Sequence, residues 1–198
     1  MSANLDQKKE AKKTNLLDAA KTLFLEKDVS KTSISEITER AQVAKGTFYL
    51  YFEDKDALLE QLIYRMSHDI LQQAFTYAEA NRTDNFAENV IIFADWIICY
   101  FTEHTDELRL IKRNFSWPML ERSISGRDSN PLWQAITQRL HDAPLPQVHN
   151  AQEQFNILYL IIDLCGTACY SSIIEHRPDT IDNIKPLLYG MIRRILAV

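Results

Sequence analysis

Glycine and proline are scarce, four and six in 198 residues, which excludes collagen-like, low-complexity and turn-dense all-β chains. Runs of strand-type alternation are almost absent, whereas apolar residues recur every three to four positions, so the chain reads as all-α with short connections. The three cysteines, Cys99, Cys165 and Cys169, lie inside apolar stretches at no regular spacing. An odd, irregular set is no disulfide framework and fits a reducing, cytoplasmic setting. Cys165 and Cys169 stand four apart, but no histidine follows at ligand spacing, so both read as small core residues rather than half a metal site. The most apolar run, Val90 to Phe101, is interrupted by Asp95 and is too short to span a bilayer, and the polar amino terminus lacks the apolar stretch of an export signal. The five histidines form no H-E-x-x-H or E-x-x-H pair, and no G-x-S-x-G, P-loop or Rossmann glycine pattern occurs. Catalysis, a cofactor and a metal therefore have no support in the sequence.

What is present is enough apolar material, 46% of residues, to bury a full core. The net charge of −5 argues against blanket coating of nucleic acid. Its distribution is uneven: residues 1–55 hold ten Lys and Arg against nine Asp and Glu, and the remainder 12 against 18. Lys8, Lys9, Lys12 and Lys13 concentrate the positive charge ahead of the first apolar stripe. Helices are predicted at 8–27, from Ile34, at about 45–51, at about 54–81, 85–104, 105–115, 132–141, 148–175 and 179–196, with loops at 123–131 and 141–146.

The region that carries function is the succession of a long helix, a short helix, a three- to four-residue turn and another short helix. Ser33-Ile-Ser-Glu36 is a capping box that starts the second helix. This is the helix-turn-helix arrangement that places a helix in the DNA major groove. On the third helix Phe48 and Phe52 share an inward direction, and Gly46 and Leu50 point away, flanked by Thr47 and Tyr49. An outward face that is small, aromatic and hydroxylic, without acidic groups, suits a duplex better than bulk water.

Leu16-Leu-Asp-Ala-Ala-Lys-Thr-Leu-Phe24, Thr32-Ser-Ile-Ser-Glu-Ile37 and Ala44-Lys-Gly-Thr-Phe-Tyr-Leu-Tyr-Phe52, with Lys55 and Ala57-Leu-Leu59, together resemble the DNA-binding domain of TetR-type (tetracycline-repressor-like) regulators. The resemblance covers about residues 8–60. It implies an N-terminal three-helix domain at 1–53 and a larger helical ligand-binding and dimerisation domain at 54–198. It further implies that Thr32, Ser33, Thr47, Tyr49, Tyr51 and Lys55 contact phosphates, and that Lys45, Gly46 and Leu50 lie against base edges. Three positions depart from the family pattern. Asp28 and Gln42 stand where relatives often carry glycine, and Leu50 where many carry histidine. Leu50 is expected to pack on a thymine methyl, an expectation lost if selected operators tolerate every base opposite it.

In the remainder, Asp95, Trp96, Tyr100, Phe115, Trp117, Phe155, Tyr159 and Asp163 are candidates for an effector pocket, the two carboxylates because each interrupts an apolar helix. Ordinary core packing competes at each aromatic. Two terminal stripes, including Leu164, Ala168 and Ser172 in one helix and Ile184, Leu188, Met191 and Ile195 in the other, are candidates for a homodimer interface. The resulting expectation is a cytoplasmic homodimeric repressor on a pseudo-palindromic double-stranded operator, released by a small-molecule effector. A helical ligand-binding protein or enzyme whose head has lost DNA binding is the rival reading, and a regulator answering to a protein partner is a third.

Overall fold

The computed structural model describes residues 2–114, 131–143 and 150–196, and every regular element among them is helical. In chain order these are α1 (Ser2–Lys27), α2 (Ile34–Arg40), α3 (Lys45–Phe48), α4 (Lys55–Ala80), α5 (Phe86–Glu103), α6 (Thr105–Asn114), α7 (Pro131–His141), α8 (Ala151–Cys169) and α9 (Ile181–Ile195), with a π turn at Tyr170–Ile174 continuing α8. Most predicted boundaries are met within a few residues. α1 begins at Ser2 rather than near Lys8, since residues 2–11 hold strong helix formers and neither glycine nor proline. α3 stops at Phe48 because the next residues close tighter bonds: the Leu50 N–H donates to the Thr47 carbonyl at 3.3 Å and that of Tyr51 to Phe48 at 3.0 Å. The loop expected at 123–131 lies almost wholly outside the described residues, and that at 141–146 is described only to residue 143.

The helix starts are written in short polar side chains. Ser33 Oγ accepts from the Glu36 N–H while a Glu36 carboxylate oxygen accepts from the Ser33 N–H at 2.8 Å, a reciprocal capping box. Asp54 caps α4 through the Ala57 N–H at 2.7 Å, and Asn85 and Asn150 do the same for α5 and α8. Glu36 also pairs with Lys27 of α1; that ammonium is the main reason its carboxyl is drawn from an ordinary 4.5 down to about 2. A depressed carboxyl stabilises the fold above its unfolded pKa, and the contribution disappears as pH falls from about 4.5 to about 2. Urea unfolding of wild type and Glu36→Gln should therefore differ at neutral pH and converge across that window; a difference that persists at its acid end would refute the assignment.

Asp28 and Gln42 adopt φ of 78° and 55°, the left-handed region in which glycine is unstrained. Asp28 tolerates it through its short polar side chain, whereas Gln42 has no such compensation. Gln42→Gly is expected to raise stability by up to about 1 kcal/mol, read as a melting-temperature rise of roughly 2–4 °C.

Two hydrophobic clusters organise the molecule. The first joins Leu16, Leu23, Phe24, Ile37, Phe48 and Phe52 of the amino-terminal helices and the turn after α3 to Leu58, Leu62 and Ile63 of α4 and to Leu110 and Ile111 of α6. The second gathers Ile91, Ala94 and Ile98 of α5 with Leu108, Ile161, Cys169, Leu188 and Ile192. α4 runs between them, packed along α5 and against α1, α6 and α7. No helix among the described residues is long and apolar enough to cross a membrane.

Candidate functional site

The third helix presents the predicted face. Phe48 is fully buried and Phe52 nearly so, whereas Leu50 is 75% and Tyr49 54% exposed, with Lys45 and Gly46 beside them. The Tyr49 ring stands edge-on to Phe48 with centroids 5.3 Å apart, so the outer aromatic is held upright by the inner one. A Cβ built on Gly46 meets nothing within 4 Å. No packing demand of the monomer requires glycine there, and α3 would gain helix propensity from almost any other residue.

The neighbouring candidates are less free than their residue types suggest. Thr32 is 2% exposed and its hydroxyl donates to the Asp28 carbonyl at 2.8 Å, so it closes the end of α1. Lys55 Nζ donates to the carbonyls of Val29 and Thr32 at 2.8 and 2.9 Å, tying the start of α4 to the α1–α2 loop and leaving one of its three protons for any anion. The Ser33 hydroxyl is exposed but engaged with Glu36 in the capping box. Thr47 and Tyr51 are half-buried, the latter packed against the first cluster.

A cavity of about 480 Å³ lies among α4, α5, α7 and α8, a size that suits a small molecule. α5 supplies Val90, Phe93, Ala94, Ile97 and Phe101, spaced as one helical face, and Phe75, Phe86 and Trp133 add aromatic walls. None of the candidates whose side chains are described lines it. Asp95 turns instead to α9, where it pairs with Lys185 at 2.5 Å and accepts from Tyr189; burial alone would raise its carboxyl, but these donors hold it below the ordinary range. Trp96 and Tyr100 pack against the first cluster, and Tyr100 donates to Glu107 at 2.9 Å, so its hydroxyl is raised by burial and then by that carboxylate. Asp163 is exposed, Tyr159 is absent from the lining, Phe115 and Trp117 lie outside the described residues, as does the side chain of Phe155. The reason is phase: α5 is apolar on nearly every side, and a 100° turn per residue sends its neighbours to three different partners.

Among the described residues the cavity's charged lining is Glu79, Arg82, Asp84, Arg139 and Asp142, around the α4–α5 connection and the end of α7. Glu79 and Arg139 neutralise each other in a two-pronged pair. Ser67 Oγ and Trp133 Nε1 are buried with no hydrogen-bond partner among the described residues, and both residues line the cavity. Cys165 and Cys169 line it too, with burial pushing each thiol up to about 12. No group of three His, Cys, Asp or Glu among the described residues is placed to hold a metal.

Ile111 of α6 belongs both to the first cluster and to the cavity wall. The same junction carries the Lys21–Glu107 ion pair at 2.8 Å between α1 and α6 and the Arg65–Asp18 pair between α4 and α1. On the far side Leu160, Leu187, Met191 and Ile195 are 37–67% exposed. Of the interface candidates, Leu188 and Ser172 are 2% exposed and belong to the interior of the monomer, and Leu164 and Ala168 pack against the second cluster. Sequence reading passed over Leu187, which shares the outer stripe of α9 with Met191 and Ile195 at four-residue intervals.

Residues 16–62 match the family model described as bacterial regulatory proteins, tetR family. Over 58 residues, 29% of this chain and 30% of the relative, the chain is 41% identical to YvdT, an uncharacterised HTH-type transcriptional regulator of Bacillus subtilis strain 168. Over 76 residues it is 34% identical to the fatty acid metabolism regulator protein of the same organism, covering 34% of this chain and 39% of that protein. The chain thus matches less than two fifths of the length of these curated relatives. The crystal structure of Bacillus subtilis FadR in complex with stearoyl-CoA aligns over 90% of this chain and 96% of that one, at a TM-score of 0.61 and 13% identity, a likeness of fold.

Proposed function

We propose that this TetR-type regulator is a homodimeric repressor that holds operator DNA with α3 and the turn after it, and is released when a linear acyl compound enters the cavity behind α4. The observation that carries the DNA reading is the outward face of α3: Leu50 and Tyr49 exposed on a rigid aromatic base, an open Gly46, and no acidic group among them. Residues 1–53 form the DNA head and residues 54–198 the ligand and dimer body. Lys45, Gly46 and Leu50 face base edges, and Ser33, Thr47, Tyr49 and Tyr51, with the remaining proton of Lys55, face phosphates.

The exposed stripe of Leu187, Met191 and Ile195, with Leu160 and the half-buried Ile184, supports pairing through α8 and α9 with a second copy. Two copies related by a two-fold axis present α3 to successive major grooves about 34–36 Å apart. The effector reading rests on a cavity walled mainly by Phe, Trp, Ile and Leu, on a relative named for fatty acid metabolism, and on a structure of like fold that holds stearoyl-CoA. Ile111 supports the coupling, because a side chain shared by the cavity wall and the head's core moves both when it moves. Such coupling is reciprocal, so operator DNA weakens acyl binding by the factor by which acyl binding weakens operator affinity.

The test is binding of the purified protein to its own promoter region against a randomised competitor at two salt concentrations, with Tyr49→Ala as control. Competitor-resistant, salt-sensitive binding that the substitution abolishes is expected. Equal weak binding to both DNAs would overturn the repressor reading and favour the helical ligand-binding alternative.

A further inference from the structure

The cavity is elongated and graded. Along α4 its lining runs from Ser67 to Glu79, about 18 Å at 1.5 Å per residue, and along α5 from Phe86 to Phe101, about 22 Å. Among the described residues its charged groups stand at the end formed by the α4–α5 connection and α7. The end toward α6 is walled by Ile70, Ile97, Phe101, Ile111 and Cys169, with the Ser67 hydroxyl its one polar group among the described residues. In this wall α8 has a gap at Gly166, between Cys165 and Cys169. A Cβ placed on Gly166 meets nothing within 4 Å, although the residue sits inside a helix, where glycine costs about 1 kcal/mol relative to alanine. Neither packing within the protomer nor a left-handed backbone therefore accounts for glycine here, and the residue is one of those that line the cavity.

We propose that a straight-chain acyl ligand enters tail first, its carboxyl or thioester head held by Arg82, and that Gly166 sets the depth of the tail and hence the longest chain accepted. This inference rests on the acyl reading above and adds the direction of binding and the residue that selects length. A side chain at 166 projects into the channel and shortens it, excluding terminal methylenes of long chains while leaving short chains untouched.

The test is calorimetric titration of the wild-type protein, Gly166→Ala and Gly166→Leu with free fatty acids graded from octanoate to octadecanoate, with circular dichroism as the folding control. In the wild type, affinity should climb with chain length to a limit. Gly166→Leu should move that limit to shorter chains, with a loss of roughly tenfold for every two methylenes kept out and little change for octanoate. Gly166→Ala, which favours the helix and is sure to test the site if the larger residue disturbs folding, should move the limit in the same direction by less. Acids that bind with an unchanged length profile in both variants would overturn the role of Gly166 while leaving the acyl reading intact. If no acid binds the wild type, the acyl reading itself falls, and this inference with it.

Discussion

Met191→Glu should convert the protein to monomers at micromolar concentration and reduce operator affinity by at least about 100-fold. Met191 is 47% exposed in the outer stripe of α9, flanked by Leu187 and Ile195, so in the monomer a carboxylate there meets water and costs little. In an isologous interface two carboxylates meet apolar surface near the two-fold axis, and an unpaired charge so placed costs several kcal/mol per dimer. A monomer holds one half-site and forfeits the second set of contacts, and every 1.4 kcal/mol lost is a factor of about ten. Sedimentation velocity reads the first effect and fluorescence anisotropy on a labelled operator the second. A stable dimer for the variant would place the interface elsewhere. Leu188→Ala is the informative contrast: buried at 2% exposure, it should lower stability by about 2–5 kcal/mol through cavity formation rather than split the dimer.

Gly46→Leu carries the second large effect, and it separates stability from function. Nothing lies within 4 Å of a Cβ at this position, so the monomer accommodates the side chain, and leucine improves the propensity of α3 by up to about 1 kcal/mol. Against a duplex the same side chain holds the backbone off the groove floor. A disruption of the size of a wrong base pair, about 1–3 kcal/mol in each half-site, lowers operator affinity by roughly 30-fold or more over the two. The expected signature is an unchanged or raised melting temperature beside severely weakened binding to the operator. Unweakened operator binding would mean that α3 does not approach DNA by this face.

The capping residues were the most legible part of the chain. Ser33 with Glu36, Asp54 and Asn85 each announce a helix start by residue type alone, and each does so in the structure. The head was legible for the same reason: Phe48 at the end of α3 and Phe52 in the turn after it are buried together, which fixes the outward side. Local chemistry failed where a helix is buried on more than one side. α5 offers apolar residues in every direction, so periodicity does not reveal that Phe93 meets the cavity, Trp96 the first cluster and Ile97 both. α9 has two apolar stripes, one through Leu188 and Ile192 and one through Leu187 and Met191, and the reading from spacing blended them. Asp95 and Asp163 looked alike as interruptions, yet one is held by Lys185 and Tyr189 and the other faces solvent. Thr32 and Lys55 have types suited to phosphate but are taken up by carbonyls of the α1–α2 loop, which residue identity does not disclose.

The first hydrophobic cluster does not end where α3 ends. Leu58, Leu62 and Ile63 of α4 are as deeply buried in it as Phe48 is, Met66 nearly so, and Lys55 ties the start of α4 to the loop behind α1. A fragment ending at residue 53 would expose the inner faces of α1 and α2 and forfeit those four side chains, at about 1.5–3 kcal/mol each. Such losses exceed what a peptide of that size can spare. The smallest portable piece of this protein is therefore one that keeps the first three turns of α4, and a chimera joined before Lys55 would import the reading face without the scaffold that holds it still.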